Sequence, residues 1–297
     1  MTSMTLGAGS AGSVRGGSGS LSARRNIATI ARRELRDAVR SRWFLLYSIA
    51  FAVLGLAVSY AASVGAGGAG LTGFGRTSAG LINLVLLVVP LMALNAGAVS
   101  IASDRERGML SYLLAQPVAR WEVLAGKYMG LAGSLLACLC LGLGLCAVVL
   151  AWRGQVTSPG SLLRLGGLAF ALSLSMLSVG FLVSVLARKT SVAVGTAIFL
   201  WLALVFVTDL GLMAGAVALR LRIGELFALN LVNPLQVFKM WSLHAGEASL
   251  DVLGPAGLYA VEEYGSRLHA LFGACLGAWI VAPLALAALV FSRRSPL

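Results

Sequence analysis

Long runs of apolar residues, separated by short polar segments, dominate the pattern along the chain. A helix that crosses a bilayer needs about 20 mostly apolar residues. Six runs meet that length, at roughly 44–64, 80–102, 127–151, 165–187, 192–218 and 268–291. The pattern therefore predicts an all-α membrane protein with six transmembrane helices, and an even number places both termini on the same side.

The first 43 residues do not follow this pattern. Residues 1–25 are rich in Gly and Ser, and we expect a disordered tail because such a composition buries little apolar surface. Over residues 26–43 apolar positions share one side of a helical wheel and four arginines share the other. This predicts an amphipathic helix lying on the lipid surface, with a soluble amphipathic helix as the alternative. Residues 44–297 form the membrane domain.

Charge gives the orientation of the predicted helices. The chain carries 23 Lys and Arg against 11 Asp and Glu, yet only 11% of its residues are charged and 59% are apolar. This composition argues against a nucleic-acid-binding protein, since the basic residues lie between the apolar runs. Sixteen of the 23 fall at the N-terminus, in 103–127, at 188–189 and at 293–294. The positive-inside rule then places both termini in the cytoplasm and 219–267 in an outer loop.

No catalytic constellation is present in the sequence. There is no nucleophile elbow, no paired His motif for zinc, and no phosphate-binding loop, because the nearest fragment, Gly126-Lys127-Tyr128, lacks the first Gly and the hydroxyl. The chain is therefore predicted not to be an enzyme and to hold no cofactor. Any ATP must be hydrolysed by another chain.

The segment 103–127 is the most informative connection. Its charged cluster ends at Gly108, Met109 and Leu110 begin an apolar face that Tyr112 and Leu113 continue, and Pro117 ends the short helix. Such a helix suits docking into a groove of a partner, and an interfacial helix on lipid is the alternative.

This segment resembles the signature of ABC-2 type transporter permeases, in which an acidic stretch, a Gly, a Leu-rich turn, Gln-Pro and an Arg-x-Glu-Val-Leu-x-Gly-Lys run follow the second membrane helix. The N-terminal Ala-Arg-Arg-Glu-Leu-Arg at 31–36 is similar to the elbow helix of that family. Asp209-Leu210 and the stretches 233–239 and 253–257 resemble the NosY-type permeases, which serve nitrous oxide reductase maturation. The residues carried over for ATPase coupling are Asp104, Glu106, Gly108, Met109, Leu110, Tyr112, Leu113, Gln116 and Pro117, and those of the elbow are Arg33, Glu34 and Arg36.

The resemblance implies a homodimer in the bacterial inner membrane, bound to two copies of a separate ATPase that holds ATP and Mg. It also implies a periplasmic accessory protein, which we expect to contact Asn233, Pro234, Phe238 and Lys239, and a role in copper-site maturation. Two alternatives stay open. One is an exporter of a drug, lipid or ion, and the other is a membrane scaffold that transmits force and transports nothing.

A few polar and sulfur-bearing residues raise separate expectations. Asp209 lies within an apolar run, and Asn83 or Asn95 is expected to hydrogen-bond it, since an isolated acid in lipid is costly. A role of Asp209 on a transport or gating path is the alternative. Glu34, on the apolar side of the elbow helix, is expected to pair with a basic side chain. Met240 and His244 share a helical face, but two ligands are too few for a metal site, so none is predicted. The cysteines are interpreted as packing residues.

Overall fold

The computed structural model describes residues 18–64, 72–110, 118–152, 159–218, 223–245, 260 and 262–293. Within these ranges the chain is helical and contains no strand. The principal helices are α1 Ser18–Arg40, α2 Arg42–Val64, α3 Thr72–Glu106, α4 Arg120–Trp152, α5 Pro159–Leu186, α6 Thr190–Ala218, α7 Ile223–Val232, α8 Pro234–Ala245 and α9 Leu268–Arg293. The expected all-helical architecture is confirmed.

Among the described residues, four helices are long and apolar enough to cross a membrane: Gly80–Glu106, Arg120–Val149, Gly160–Leu186 and Leu268–Arg293. The segments Ala23–Arg40 and Phe44–Ala57, bent by 60°, add a fifth span if they are taken as one. The described apolar part of α6, Thr190–Phe206, is too short to meet the same criterion. The presence of six transmembrane helices in the whole chain therefore stays a prediction.

The ends of four helices meet at one end of the bundle, which we call the base. The Glu106 carboxylate at the end of α3 accepts a hydrogen bond from the Thr190 backbone N–H at the start of α6, at 3.1 Å. Arg120, at the start of α4, donates from Nη1 to the Phe291 carbonyl of α9, also at 3.1 Å. The helices run away from the base to the opposite end.

The elbow helix α1 begins earlier than predicted, at Ser18, so the expected tail is wrong over 18–25. Its arginines at 32, 33 and 36 are exposed, as the helical wheel indicates. Its apolar side does not rest on lipid alone, because Ile30 and Ala31 pack against α4. The bend to α2 occurs at Ser41, whose Oγ accepts the Phe44 N–H at 3.1 Å.

Small residues allow the closest helix contacts. A Cβ at Gly126 would lie 2.8 Å from the Ile30 side chain, and one at Gly130 would lie 2.6 Å from the Ala31 carbonyl. In the centre, a Cβ at Gly180 of α5 would clash with the α3 backbone. Helices in lipid gain contact area where small residues let backbones approach. These glycines hold α1 on α4 and α3 on α5.

Helices α7 and α8 form a hairpin that enters the bundle. Asn233, at its turn, donates from Nδ2 to the Leu204 carbonyl of α6 at 2.6 Å and accepts the Leu235 N–H at 2.9 Å. Leu204 lies about 21 Å along α6 from Ala218, at 1.5 Å per residue. The stretch 223–245 is therefore helical and packs against α6, and the placement of 219–267 on the outer side stays a prediction.

Candidate functional site

Three charged side chains from three helices meet near the base and form the candidate site, which we call the triad. Lys127 of α4 forms ion pairs with Glu34 of α1 and with Asp104 of α3, the latter at 2.8 Å from Nζ to Oδ2. The Lys127 side chain is only 3% exposed, while the two carboxylates are about one-fifth exposed. The triad thus links the elbow helix, the end of α3 and the start of α4 through one buried ammonium group.

The surroundings of Lys127 explain why its charge is tolerated. Its ammonium also approaches the Ser100 carbonyl of α3 at 3.4 Å, so its donors are directed at three acceptors. Gly126 and Gly130 flank it on α4, and their lack of side chains brings α1 close enough for Glu34 to reach. The expected basic partner of Glu34 is therefore Lys127.

A second polar contact ties α1 to α4 on the same side. The Asn26 amide donates to the Glu122 Oε2 at 3.1 Å. The same Glu122 oxygen accepts the Ala119 N–H at 3.3 Å, at the position where α4 begins. Glu122 therefore both caps α4 and binds the elbow helix.

The connection that follows α3 begins with a tight turn. Gly108 has φ +71°, a conformation that glycine adopts without strain, and its N–H donates to the Arg105 carbonyl at 3.2 Å. Met109 is 38% exposed beyond the turn, whereas Leu110 is 2% exposed. Leu110 therefore packs inside the subunit. The expectation that it forms part of an exposed docking ridge is wrong. Of the other predicted coupling residues, Tyr112, Leu113, Gln116 and Pro117 lie outside the described residues.

The end of α3 also holds the short connection between α5 and α6. Arg105 donates to the Ala187 carbonyl at 2.5 Å and to the Val185 carbonyl at 3.4 Å. Together with the contact of Glu106 to Thr190, this fixes both ends of the connection against α3. The end of α3 is thereby joined to α4 through the triad and to the start of α6 and the end of α5 through Glu106 and Arg105.

The remaining elbow residues play a smaller part. Arg33 forms an ion pair with Asp37 one turn later, at 3.7 Å, with both side chains more than half exposed. Exposed pairs of this kind contribute about 0–1 kcal/mol. Arg36 is exposed. Both are placed where lipid headgroups could meet them, and neither joins the triad.

The structure describes the surroundings of two of the three polar residues predicted within the membrane, Asn83 and Asn95. Asn95 donates from Nδ2 to the Tyr47 hydroxyl of α2 at 3.2 Å. Asn83 is exposed and lines a cleft with residues of α6 and α8. The Asp209 side chain lies outside the described residues. The structure thus gives Asn95 a different partner and leaves the environment of Asp209 a prediction.

The residues expected to contact an outer partner are mostly internal. Asn233 and Phe238 are 6% and 0% exposed, and Pro234 is buried beside them. Only Lys239 keeps part of its surface accessible. Asn233, Pro234 and Phe238 therefore stabilise the hairpin, and their buried side chains are not placed to contact another protein.

Met240 and His244, which share a helical face, have different surroundings in the structure. Met240 is buried in the apolar core, whereas the His244 ring lies 4.8 Å from the His269 ring of α9. Burial, followed by the charge of His269, lowers the pKa of His244. In the described part of the chain no three His, Cys, Asp or Glu side chains cluster as metal ligands would. The four cysteines are free thiols.

Comparison with known proteins decides the family. The family described as ABC-2 family transporter protein matches residues 28–295. The chain belongs to this family. Permeases of the family work with an ABC ATPase and are not enzymes themselves.

Two curated relatives are similar to this permease over nearly their whole length. Each is described as a probable ABC transporter permease protein NosY. The protein from Stutzerimonas stutzeri is 32% identical over 272 residues, which cover 89% of this chain and 97% of the relative. The protein from Pseudomonas aeruginosa PAO1 is 30% identical, with 90% and 98% covered. The expected NosY-like character of the permease is confirmed.

Lys127 and Glu122 are functional candidates that the sequence pattern alone does not identify. Both stand inside the Arg-x-Glu-Val-Leu-x-Gly-Lys run that resembles the permease signature. The available signal was their charge at the edge of an otherwise apolar run, next to Gly126. A charge in that setting requires a partner, and the partners lie in other helices.

Proposed function

We propose that the permease transmits movement from a separate ABC ATPase through the triad to its membrane helices. The observation that carries the proposal is the buried Lys127, which holds Glu34 of the elbow helix and Asp104 of α3 at once. The exposed Met109 follows Asp104 closely and offers an apolar contact on the surface of the base.

The mechanism follows from rigid packing. A partner that grips the segment after Gly108 applies force to the end of α3. Packed helices respond as bodies that shift or rotate rather than as smoothly bending rods. Because the triad and Arg105 fasten α1, α4 and the α5–α6 connection to that end, these elements move with it. The hairpin at the opposite end then responds through α5, α6 and α9.

The proposed assembly is a homodimer in the bacterial inner membrane, with two ATPase copies at the base and ATP and Mg held by the ATPase. Basic residues gather at the base, among them Arg107, Arg188 and Lys189. The positive-inside rule favours a cytoplasmic base and cytoplasmic termini. A periplasmic accessory protein would then meet the end opposite the base.

Copper-site maturation of nitrous oxide reductase is the proposed biological task. Its support is the similarity to NosY permeases over about nine-tenths of the chain. Two measurements test it in a strain lacking the gene. In the first, the copper content of the reductase should return when the deletion strain is complemented with this chain. In the second, the complete complex is reconstituted in vesicles, and ATP-dependent flux reports whether a solute moves. A reductase with full copper in the deletion strain would refute the task.

The coupling proposal is tested by Met109→Asp in the chain co-expressed with its cognate ATPase. A buried charge at the contact should abolish co-purification of the ATPase, while membrane insertion stays normal. The matched control is Ala270→Asp, which places the same charge at an exposed position of the opposite end. Unchanged ATPase recovery with Met109→Asp, or equal loss with both variants, contradicts docking at this segment.

A further inference from the structure

A cleft of about 170 Å³ lies between α3, α6 and α8. Three polar side chains line it, Asn83 from α3 with Gln236 and Lys239 from α8, and leucine and valine side chains form the rest of the wall. Asn83 is exposed and Leu87, one turn away, is 49% exposed. The cleft therefore opens on the outside of the bundle, beside α3.

Its depth places the cleft in the leaflet away from the base. Asn83 lies about 34 Å along α3 from Glu106, and Leu204 lies about 21 Å along α6 from Thr190, at 1.5 Å per residue. Glu106 and Thr190 are hydrogen-bonded to each other at the base. The hydrocarbon core of a bilayer is about 30 Å thick. The cleft thus extends from the apolar part of that leaflet to its headgroup region.

The cleft contains the positively charged side chain of Lys239. Among the described residues Lys239 forms no ion pair, since those found there involve Arg33 and Lys127. A lysine at membrane depth is unfavourable unless it pairs with an anion or reaches water. The amide group of the exposed Asn83, which also lines the cleft, can donate hydrogen bonds to an anionic oxygen. Leucine and valine side chains give the same cleft an apolar wall.

We propose that the cleft binds an anionic phospholipid from the leaflet opposite the base. The lipid phosphate pairs with Lys239 and accepts a hydrogen bond from the Asn83 amide. An acyl chain follows the apolar wall formed by Leu87, Leu204 and Val205. Lys239 lies on the hairpin and Asn83 lies on α3. The bound lipid therefore connects the hairpin to α3, the helix whose other end carries Asp104 of the triad.

The test uses the purified, delipidated permease and native mass spectrometry with added phosphatidylglycerol. Lys239→Met removes the charge and keeps the length of the side chain, while Lys239→Arg keeps the charge. One basic residue near a membrane surface is worth about fivefold in binding of an anionic lipid. Lys239→Met should therefore weaken binding about fivefold, with Lys239→Arg close to wild type and phosphatidylcholine bound weakly by all forms.

Further variants and a competing anion distinguish a lipid in the cleft from diffuse attraction, a free anion and an internal ion pair. Arg164→Met removes an exposed charge elsewhere at the opposite end, and equal losses with Arg164→Met and Lys239→Met would mean diffuse attraction and overturn the proposal. Displacement of the lipid by 10 mM inorganic phosphate would also overturn it, since the ligand would then be a free anion.

Asp209→Asn tests whether Lys239 pairs with an acidic side chain of the permease itself. If Lys239→Met and Asp209→Asn lower stability equally and non-additively, with lipid binding unchanged, Lys239 serves an internal ion pair and the proposal is wrong.

Discussion

Replacing Lys127 with Met is the most direct perturbation of the triad. The substitution keeps most of the side-chain volume and leaves Glu34 and Asp104 facing each other without a cation. Removing one partner of a buried ion pair costs about 3–5 kcal/mol, because a charge stays in a poorly solvated position. Both carboxylates here are about one-fifth exposed, so we expect a loss of about 3 kcal/mol, the lower end of that range.

The assay is unfolding of the purified permease by SDS in mixed micelles, followed by circular dichroism. A loss of about 3 kcal/mol is a large part of the 5–15 kcal/mol typical of folded proteins. The elbow helix should also become accessible to trypsin after its exposed arginines, because its ion pair to α4 is gone. The matched control is Asp37→Asn, which breaks the exposed pair with Arg33 and should change the free energy of unfolding by less than about 1 kcal/mol.

A triple variant distinguishes charge from packing. Glu34→Gln, Asp104→Asn and Lys127→Met together remove every charge of the triad. Neutral groups in place of a buried ion pair are often no less stable than the pair itself. We therefore expect the triple variant to recover most of the stability that Lys127→Met loses. Equal instability of the single and triple variants would show that Lys127 acts through packing, and the electrostatic account of the triad would be refuted.

Three further predictions use the same unfolding assay. Gly130→Ala should lose about 1–3 kcal/mol because its Cβ would lie 2.6 Å from the Ala31 carbonyl, whereas Gly144→Ala, which faces open space, should lose nothing. Ser184→Ala removes an acceptor placed 2.9 Å from two backbone N–H groups of α3 and should cost about 1–3 kcal/mol, with Ser184→Thr the variant that keeps the hydroxyl. The pKa of His244 is lowered in the folded chain, so the unfolded chain binds the proton first, and stability should fall as pH drops below about 6.5. His244→Asn should fall less between pH 7.5 and 5.5, and an equal fall in both proteins would contradict the assignment.

The sequence predicts the helices well because long apolar runs have one structural solution in lipid. The bilayer length criterion locates α3, α4, α5 and α9, and the helical wheel identifies the buried and exposed sides of α1. It also indicates that Glu34 requires a basic partner. These features depend on local periodicity and on the cost of an isolated charge, which can be evaluated without knowing the tertiary structure.

The hairpin and the full triad could not be predicted in this way. Each helix of the hairpin, α7 with 10 residues and α8 with 12, is shorter than a membrane span, so its length fits a surface helix equally well. Its entry into the bundle depends on the contact of Asn233 with a backbone carbonyl of α6. Likewise, Asp104 and Glu34 were assigned to separate segments, and only the packing of α1 on α4 places both beside Lys127.

The triad also determines how α1 is aligned on α4. The glycines of α4 permit close approach, and the ion pair of Glu34 with Lys127 adds a contact that depends on which turn of α1 faces α4. A shift of one helical turn, about 5.4 Å, would place Ile30 or Ala38 where Glu34 now stands. Lys127 would then keep only Asp104, and the Glu34 carboxylate would lose its partner in a poorly solvated position. The Lys127–Glu34 ion pair and the Asn26–Glu122 hydrogen bond therefore both favour the observed register of the elbow helix, while close packing at the glycines adds contact area with α4.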